Sequence, residues 1–177
     1  MLRCYPLPHL SFRLLPRHFE LAGNVAAKLS EEDPELHRRR LTDAESRVLA
    51  QAAFATCYGL SLDRQPRDFL WDQDEDFQID RRKIKLVVGN VNSRWGNSGA
   101  QTACRISRKA LDRTRVGTFV LAALDPPYVG FLGWMTKEGV KAHLSDWSAE
   151  PNAGSSHLNP LWELDWLETL RVGGTYV

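Results

Sequence analysis

Between Asp76 and Val88 the chain alternates apolar and polar side chains twice. Phe77 and Ile79 are interleaved with Asp76, Gln78 and Asp80, and Ile84, Leu86 and Val88 with Lys83, Lys85 and Val87. Successive side chains of a strand point to opposite faces, so each half predicts a strand with one apolar face. Joined through Arg81 and Arg82 as a two-residue loop, the halves form a hairpin with Asp80 opposite Lys83, Gln78 opposite Lys85 and Asp76 opposite Val87. Arg-Arg lacks the Asn-Gly or Asp-Gly chemistry of tight primed turns, which leaves this register open by one or two residues.

Helical spacing is clearest where Thr42-Asp-Ala-Glu45, a capping-box pattern, precedes Val48, Leu49, Ala52, Ala53 and Thr56. It predicts a helix over 43–58, stopped by Gly59. Glu45 either closes that cap or turns outward to a metal or water. Upstream, Pro6, Pro8 and Pro16 predict an irregular or edge-strand arm over 1–16, followed by a short helix over 17–29. Downstream, Phe69 to Trp71 reads as a short strand, Asn90 to Gln101 as a Gly- and Asn-rich loop, Thr102 to Ile106 as a strand and Ser107 to Arg113 as a short basic helix. The apolar run Thr118 to Leu124 predicts a buried central strand, Asp125 to Tyr128 a turn and Val129 to Trp134 its partner. Thr136 caps a helix to His143, and Pro160 opens a last amphipathic helix over Leu161 to Leu170. The order predicts an α/β fold, a central mixed β-sheet flanked by helices, with N-terminal and C-terminal helical additions. Residues 1–41 form an arm and short helix packed on a single domain over 42–177.

Composition narrows the classes. The 177 residues, 43% hydrophobic, suffice for one core. Twenty-three Lys and Arg against 22 Asp and Glu give a net charge of +1, so no overall basicity announces a nucleic-acid binder. Distribution is more informative: Asp72, Asp74, Glu75 and Asp76 cluster just before Arg81, Arg82, Lys83 and Lys85, and a second basic run holds Arg105, Arg108, Lys109, Arg113 and Arg115. Adjacent acidic and basic segments suit a metal site beside a polyanion site, or simply a solvated mixed surface. Cys4, Cys57 and Cys104 have no CxxC spacing and read as reduced packing residues, and the Pro- and Arg-interrupted start lacks a signal-peptide core, which points to the cytoplasm. No run approaches a membrane span, and the five histidines show no ligand spacing.

With Glu45 on a helix, Asp76-Phe77 and Ile84 to Val88 on strands, and Leu132-Gly-Trp-Met-Thr-Lys-Glu138 further on, the order over 42–143 resembles the PD-(D/E)XK nuclease superfamily. The resemblance implies a restriction-endonuclease-like core and Mg²⁺-dependent phosphodiester hydrolysis, with Mn²⁺ able to substitute. Carried over residue by residue, Glu45 and Asp76 match the metal-binding acids, while the second strand acid falls on Lys85 and the catalytic lysine on Val87. A lysine repels the metal instead of ligating it, and the loss at Val87 removes the usual stabiliser of the developing phosphorane charge. A migrated site would draw on Glu45, Asp76 and Asp80 as metal ligands with Lys83 or Lys85 beside them; the structural alternative for Asp80 and Lys83 is a cross-strand ion pair worth tenths of a kcal/mol.

Three functions follow. The first is a metal-dependent nuclease on DNA, with Arg81, Arg82, Arg94, Arg105, Arg108 and Lys109 on phosphates. The second is a catalytically silent relative that binds nucleic acid, or a protein partner such as a second copy, through the same face. The third is an interaction subunit using Trp147, Trp162 and Trp166, although tryptophans at helical spacing are commonly core.

Overall fold

A computed structural model describes residues 10–62, 64–69, 75–79, 81–90 and 108–146. The expected strand at 102–106, the loop after Asn90, the helix at 161–170 and its tryptophans lie outside these residues, as do Asp80, Arg94 and Arg105. The described chain runs β1 (Leu10–Arg13), α1 (Pro16–Glu32), α2 (Arg38–Tyr58), a 3-10 turn (Pro66–Phe69), β2 (Phe77–Ile79), β3 (Arg82–Asn90), α3 (Arg108–Arg113), β4 (Thr118–Asp125), β5 (Tyr128–Thr136) and α4 (Lys137–Asp146).

The five described strands make one mixed sheet ordered β1-β5-β4-β3-β2, in which only β3 and β4 run parallel. The parallel pair needs a long crossover, which carries α3, whereas β4 and β5 are joined by a two-residue turn. β5 carries one extra residue at the shift between Leu121 and Ala122, where Gly133 takes a φ of 151° that a side chain rarely adopts. The central-strand expectation for 118–124 holds: Phe119 to Leu124 are all buried.

Two cores sandwich the sheet. On one face Ile84, Leu86, Val120, Ala122, Leu124 and Phe131 pack against α1 and α2 through Val25, Leu29, Val48 and Phe54, with Phe54 meeting Phe77 and Phe131 edge to tilted. On the other face Val87, Phe119, Leu121 and Met135 pack against Leu111, Val116 and Val140 of the α3–α4 side.

α1 begins at Pro16, and its junction with β1 rests on His18. The Leu15 N–H donates to His18 Nδ1 at 3.2 Å, and Nε2 lies 3.0 Å from the Thr56 hydroxyl on α2. A backbone N–H can only donate, so Nδ1 accepts and Nε2 carries the proton toward Thr56.

α2 starts at Arg38, four residues before the expected cap, so the boundary set at 41/42 falls inside this helix. Thr42 is not an N-cap: its hydroxyl donates back to the Arg38 carbonyl at 3.1 Å, the alternative that Ser and Thr take within helices. Glu45 is consequently an interior helical residue rather than the closing member of a capping box. The C-terminus matches expectation, with Gly59 in the left-handed conformation and the Gly59 and Leu60 N–H groups both returning to the Ala55 carbonyl. Among the described residues no helix is long and apolar enough to cross a membrane.

Candidate functional site

The hairpin forms, with each residue paired two positions away from its expected partner. Phe77 pairs with Ile84, Gln78 with Lys83 and Ile79 with Arg82, so Arg82 belongs to β3 rather than to the loop. Arg81 supplies the positive φ (71°) that the tight turn demands, a conformation an L-residue adopts at a cost. The alternation of faces survives the shift. Phe77, Ile79, Ile84 and Leu86 are buried toward α2, while Gln78 is exposed and Lys83 and Lys85 are half-buried. The pairing ends at Phe77, and Asp76 just before it lies near Lys85, whose charge acts on its carboxylate, and not opposite Val87 as expected.

Asp76 is the centre of the arrangement, with its side chain only 7% exposed. Its N–H donates to the Ile84 carbonyl at 2.8 Å, and its Oδ2 accepts the Leu86 N–H at 2.6 Å. The side chain thus takes the strand bond that β2 is too short to make. Oδ1 accepts from Gln51 Nε2 at 3.0 Å and from Arg64 Nη1 at 3.1 Å. Arg64 Nη1 also donates to Gln51 Oε1 at 3.2 Å, its Nη2 donates to the Glu75 carbonyl, and its guanidinium stacks 5.9 Å from the centre of the Phe69 ring. Arg47, one turn before Gln51 on α2, ties the Phe69 carbonyl at 3.2 Å. Burial pushes the Asp76 carboxyl above its ordinary range, against the opposing pull of Lys85, the Leu86 N–H, Arg64 and Arg47. Lys83 turns to Glu75, its Nζ 2.8 and 2.9 Å from the two carboxylate oxygens.

The structure therefore groups Asp76 with Lys85, and Lys83 with Glu75. Gln51, not Glu45, is the α2 residue that reaches Asp76. Glu45 lies six positions earlier, about 9 Å along the axis and roughly 120° around it by helix geometry. Val87, where a catalytic lysine would stand, is 5% exposed inside the second core. Arg81 and Arg82 are exposed at the hairpin tip. Arg108 and Lys109 open α3, and their side chains lie outside the described set.

Among the described residues, the donors around Asp76 do not make up a divalent-cation site. Three of the lone-pair positions on Asp76 are filled by N–H donors, and among the described residues two carboxylates, Glu75 and Asp76, sit among four cations, Arg47, Arg64, Lys83 and Lys85. Mg²⁺ requires several oxygen ligands in an octahedron and an excess of negative charge. Among the described residues no group of three His, Cys, Asp or Glu side chains is placed to hold a metal ion.

Sequence reasoning missed Gln51 and Arg64. Gln51 had a signal, since it is a polar residue in the otherwise apolar run Leu49 to Phe54 and must find a partner if that face is buried. Arg64 had none, because it stands in a polar stretch that reads as a loop. No family model, curated protein or solved structure matches this chain.

Proposed function

We propose that this chain is a nuclease-like protein of the PD-(D/E)XK type that binds nucleic acid, with DNA its expected form, and does not cut it. The observation that carries this reading is the Arg64 guanidinium on Asp76: the cation beside the strand acid is a side chain of the protein itself. Charge supports it as well. Among the described residues, Arg47, Arg64, Lys83 and Lys85 gather about Glu75 and Asp76, and cations so placed favour phosphate over a metal ion. Val87 adds a third support, since a lysine there would enter an apolar core rather than a cleft.

The test combines cleavage, metal binding and DNA binding. Purified protein should leave plasmid and single-stranded DNA intact in Mg²⁺ or Mn²⁺, its melting temperature should not rise with either ion, and it should bind DNA with an affinity that falls steeply with salt. Cleavage lost in Asp76→Ala would overturn the silent reading in favour of a metal-dependent nuclease built on Glu45, Asp76 and Asp80. Absence of any salt-dependent binding would overturn the nucleic-acid reading and leave a protein partner.

A further inference from the structure

The strand register brings together two basic segments that are 34 positions apart in sequence. Ile84 pairs with Thr118 at the start of the parallel β3–β4 ladder, so the hairpin tip before Ile84 and the lead-in to β4 before Thr118 lie at the same end of the sheet. Thr118 in turn faces Thr136 of β5, and the Lys137 N–H donates to the Gly117 carbonyl at 3.1 Å, which places the start of α4 at the same end of the sheet. Arg81, Arg82, Arg113 and Arg115 are all exposed there. The nearest acid in the second segment, Asp112, is already paired with Lys141 at 3.1 Å.

Arg81 is the second observation. It occupies the one left-handed non-glycine position among the described residues, a turn site where Gly or Asn would be relaxed. A strained arginine at an exposed tip contributes nothing to packing, and strain of this kind gathers at functional positions.

We propose that Arg81, Arg82, Arg113 and Arg115 form a contact strip for the phosphate backbone of a nucleic-acid strand lying across the β3–β4 end of the sheet. This rests on the nucleic-acid reading above and adds to it Arg113 and Arg115, which belong with the hairpin tip only through the parallel register. Neighbouring strands are about 4.8 Å apart, so extended arginines on β3 and on the lead-in to β4 reach adjacent phosphates of one backbone. The strip reads charge and not base identity, since guanidinium-to-phosphate bonds carry no sequence information.

Fluorescence anisotropy tests the strip, using a labelled 20-base-pair duplex and the matching single strand over a KCl series. Three variants are compared with wild type: Arg81→Gly, Arg113→Ala/Arg115→Ala, and Arg38→Ala/Arg39→Ala at the exposed start of α2. On the duplex, Arg81→Gly should lower the slope of log affinity against log salt by about 0.9 and the Arg113/Arg115 pair by about 1.8, while the α2 pair leaves it unchanged. Arg81→Gly relaxes the turn, so its melting temperature should equal or exceed that of wild type and weakened binding cannot come from misfolding. Wild-type binding with unchanged slopes in both strip variants, or an equal loss in the α2 variant, overturns the strip and leaves the nucleic-acid reading standing. No binding by wild type overturns both.

Discussion

Removing Asp76 separates a structural carboxylate from a metal ligand. Asp76→Ala leaves three donors facing the gap: the Arg64 guanidinium, the Gln51 amide and the Leu86 N–H, all held at 2.6 to 3.1 Å in the intact protein. A buried donor stranded in this way costs about 1–3 kcal/mol, more when charged. Arg64 keeps Gln51 Oε1, the Glu75 carbonyl and the Phe69 ring, and Gln51 is itself 2% exposed. These remaining contacts hold the expected total near the 3–5 kcal/mol typical of a broken buried pair. For a chain of this size that is a fall in melting temperature of about 6–20 °C. Each single substitution strands the partner that the double substitution removes along with it. Asp76→Ala/Arg64→Ala should therefore cost less than the sum of the single variants by about 2 kcal/mol, a coupling readable by urea denaturation of all four proteins. Costs below about 1 kcal/mol for Asp76→Ala, or additive single effects, would show a solvated carboxylate free to take a metal, and the closed-site argument would fail.

Two further outcomes follow from the helices. Burial, with help from the neighbouring Arg17 charge, pulls His18 below the usual histidine range. The neutral ring is then the form the fold favours, so stability is intact above about pH 6.5 and falls as pH drops through that value toward the lowered one, by at most about 1.4 kcal/mol per unit. Urea denaturation at pH 7 and pH 5 should show that slope in wild type and its loss in His18→Gln; an unchanged slope would place the acid sensitivity elsewhere. Gly59→Ala forces an L-residue into φ 63°, ψ 30° and should cost about 1 kcal/mol by urea denaturation; a neutral result would mean that the turn after α2 relaxes freely.

The sequence made the sheet legible wherever burial was one-sided or complete. Alternation located β2 and β3, the unbroken apolar run located β4, and Thr136 marked the start of α4, where its hydroxyl accepts the Gly139 N–H at 3.1 Å. Two local readings failed for definite reasons. Thr42-Asp-Ala-Glu45 has the composition of a cap, but Arg38 to Leu41 also favour helix and the turn before them continues into it, so a local motif lost to its neighbours. The hairpin's pairing fell two residues from the expected one because turn chemistry gave no guide: as sequences, Asp80-Arg81 and Arg81-Arg82 are both poor primed turns. At the site, the acid was legible and its surroundings were not. Asp76 stood out as a strand acid, while the partners that decide its chemistry come from α2 and from an irregular segment, 25 and 12 positions away.

The bond from Leu86 to Asp76 bears also on self-association. β2 covers only the first three residues of the nine-residue β3, so beyond Ile84 the outer edge of β3 has no strand beside it among the described residues. An uncovered edge invites another chain to pair with it, and proteins commonly blunt such edges with a charge. Asp76 does this: its carboxylate already holds the Leu86 N–H, and an incoming strand would have to displace it and leave Arg64 without its partner. The residue that resembles a catalytic acid thereby serves the sheet by holding an edge N–H of β3. In the Asp76→Ala protein the Leu86 N–H loses this partner, and dimers or larger species in sedimentation should accompany its lost stability.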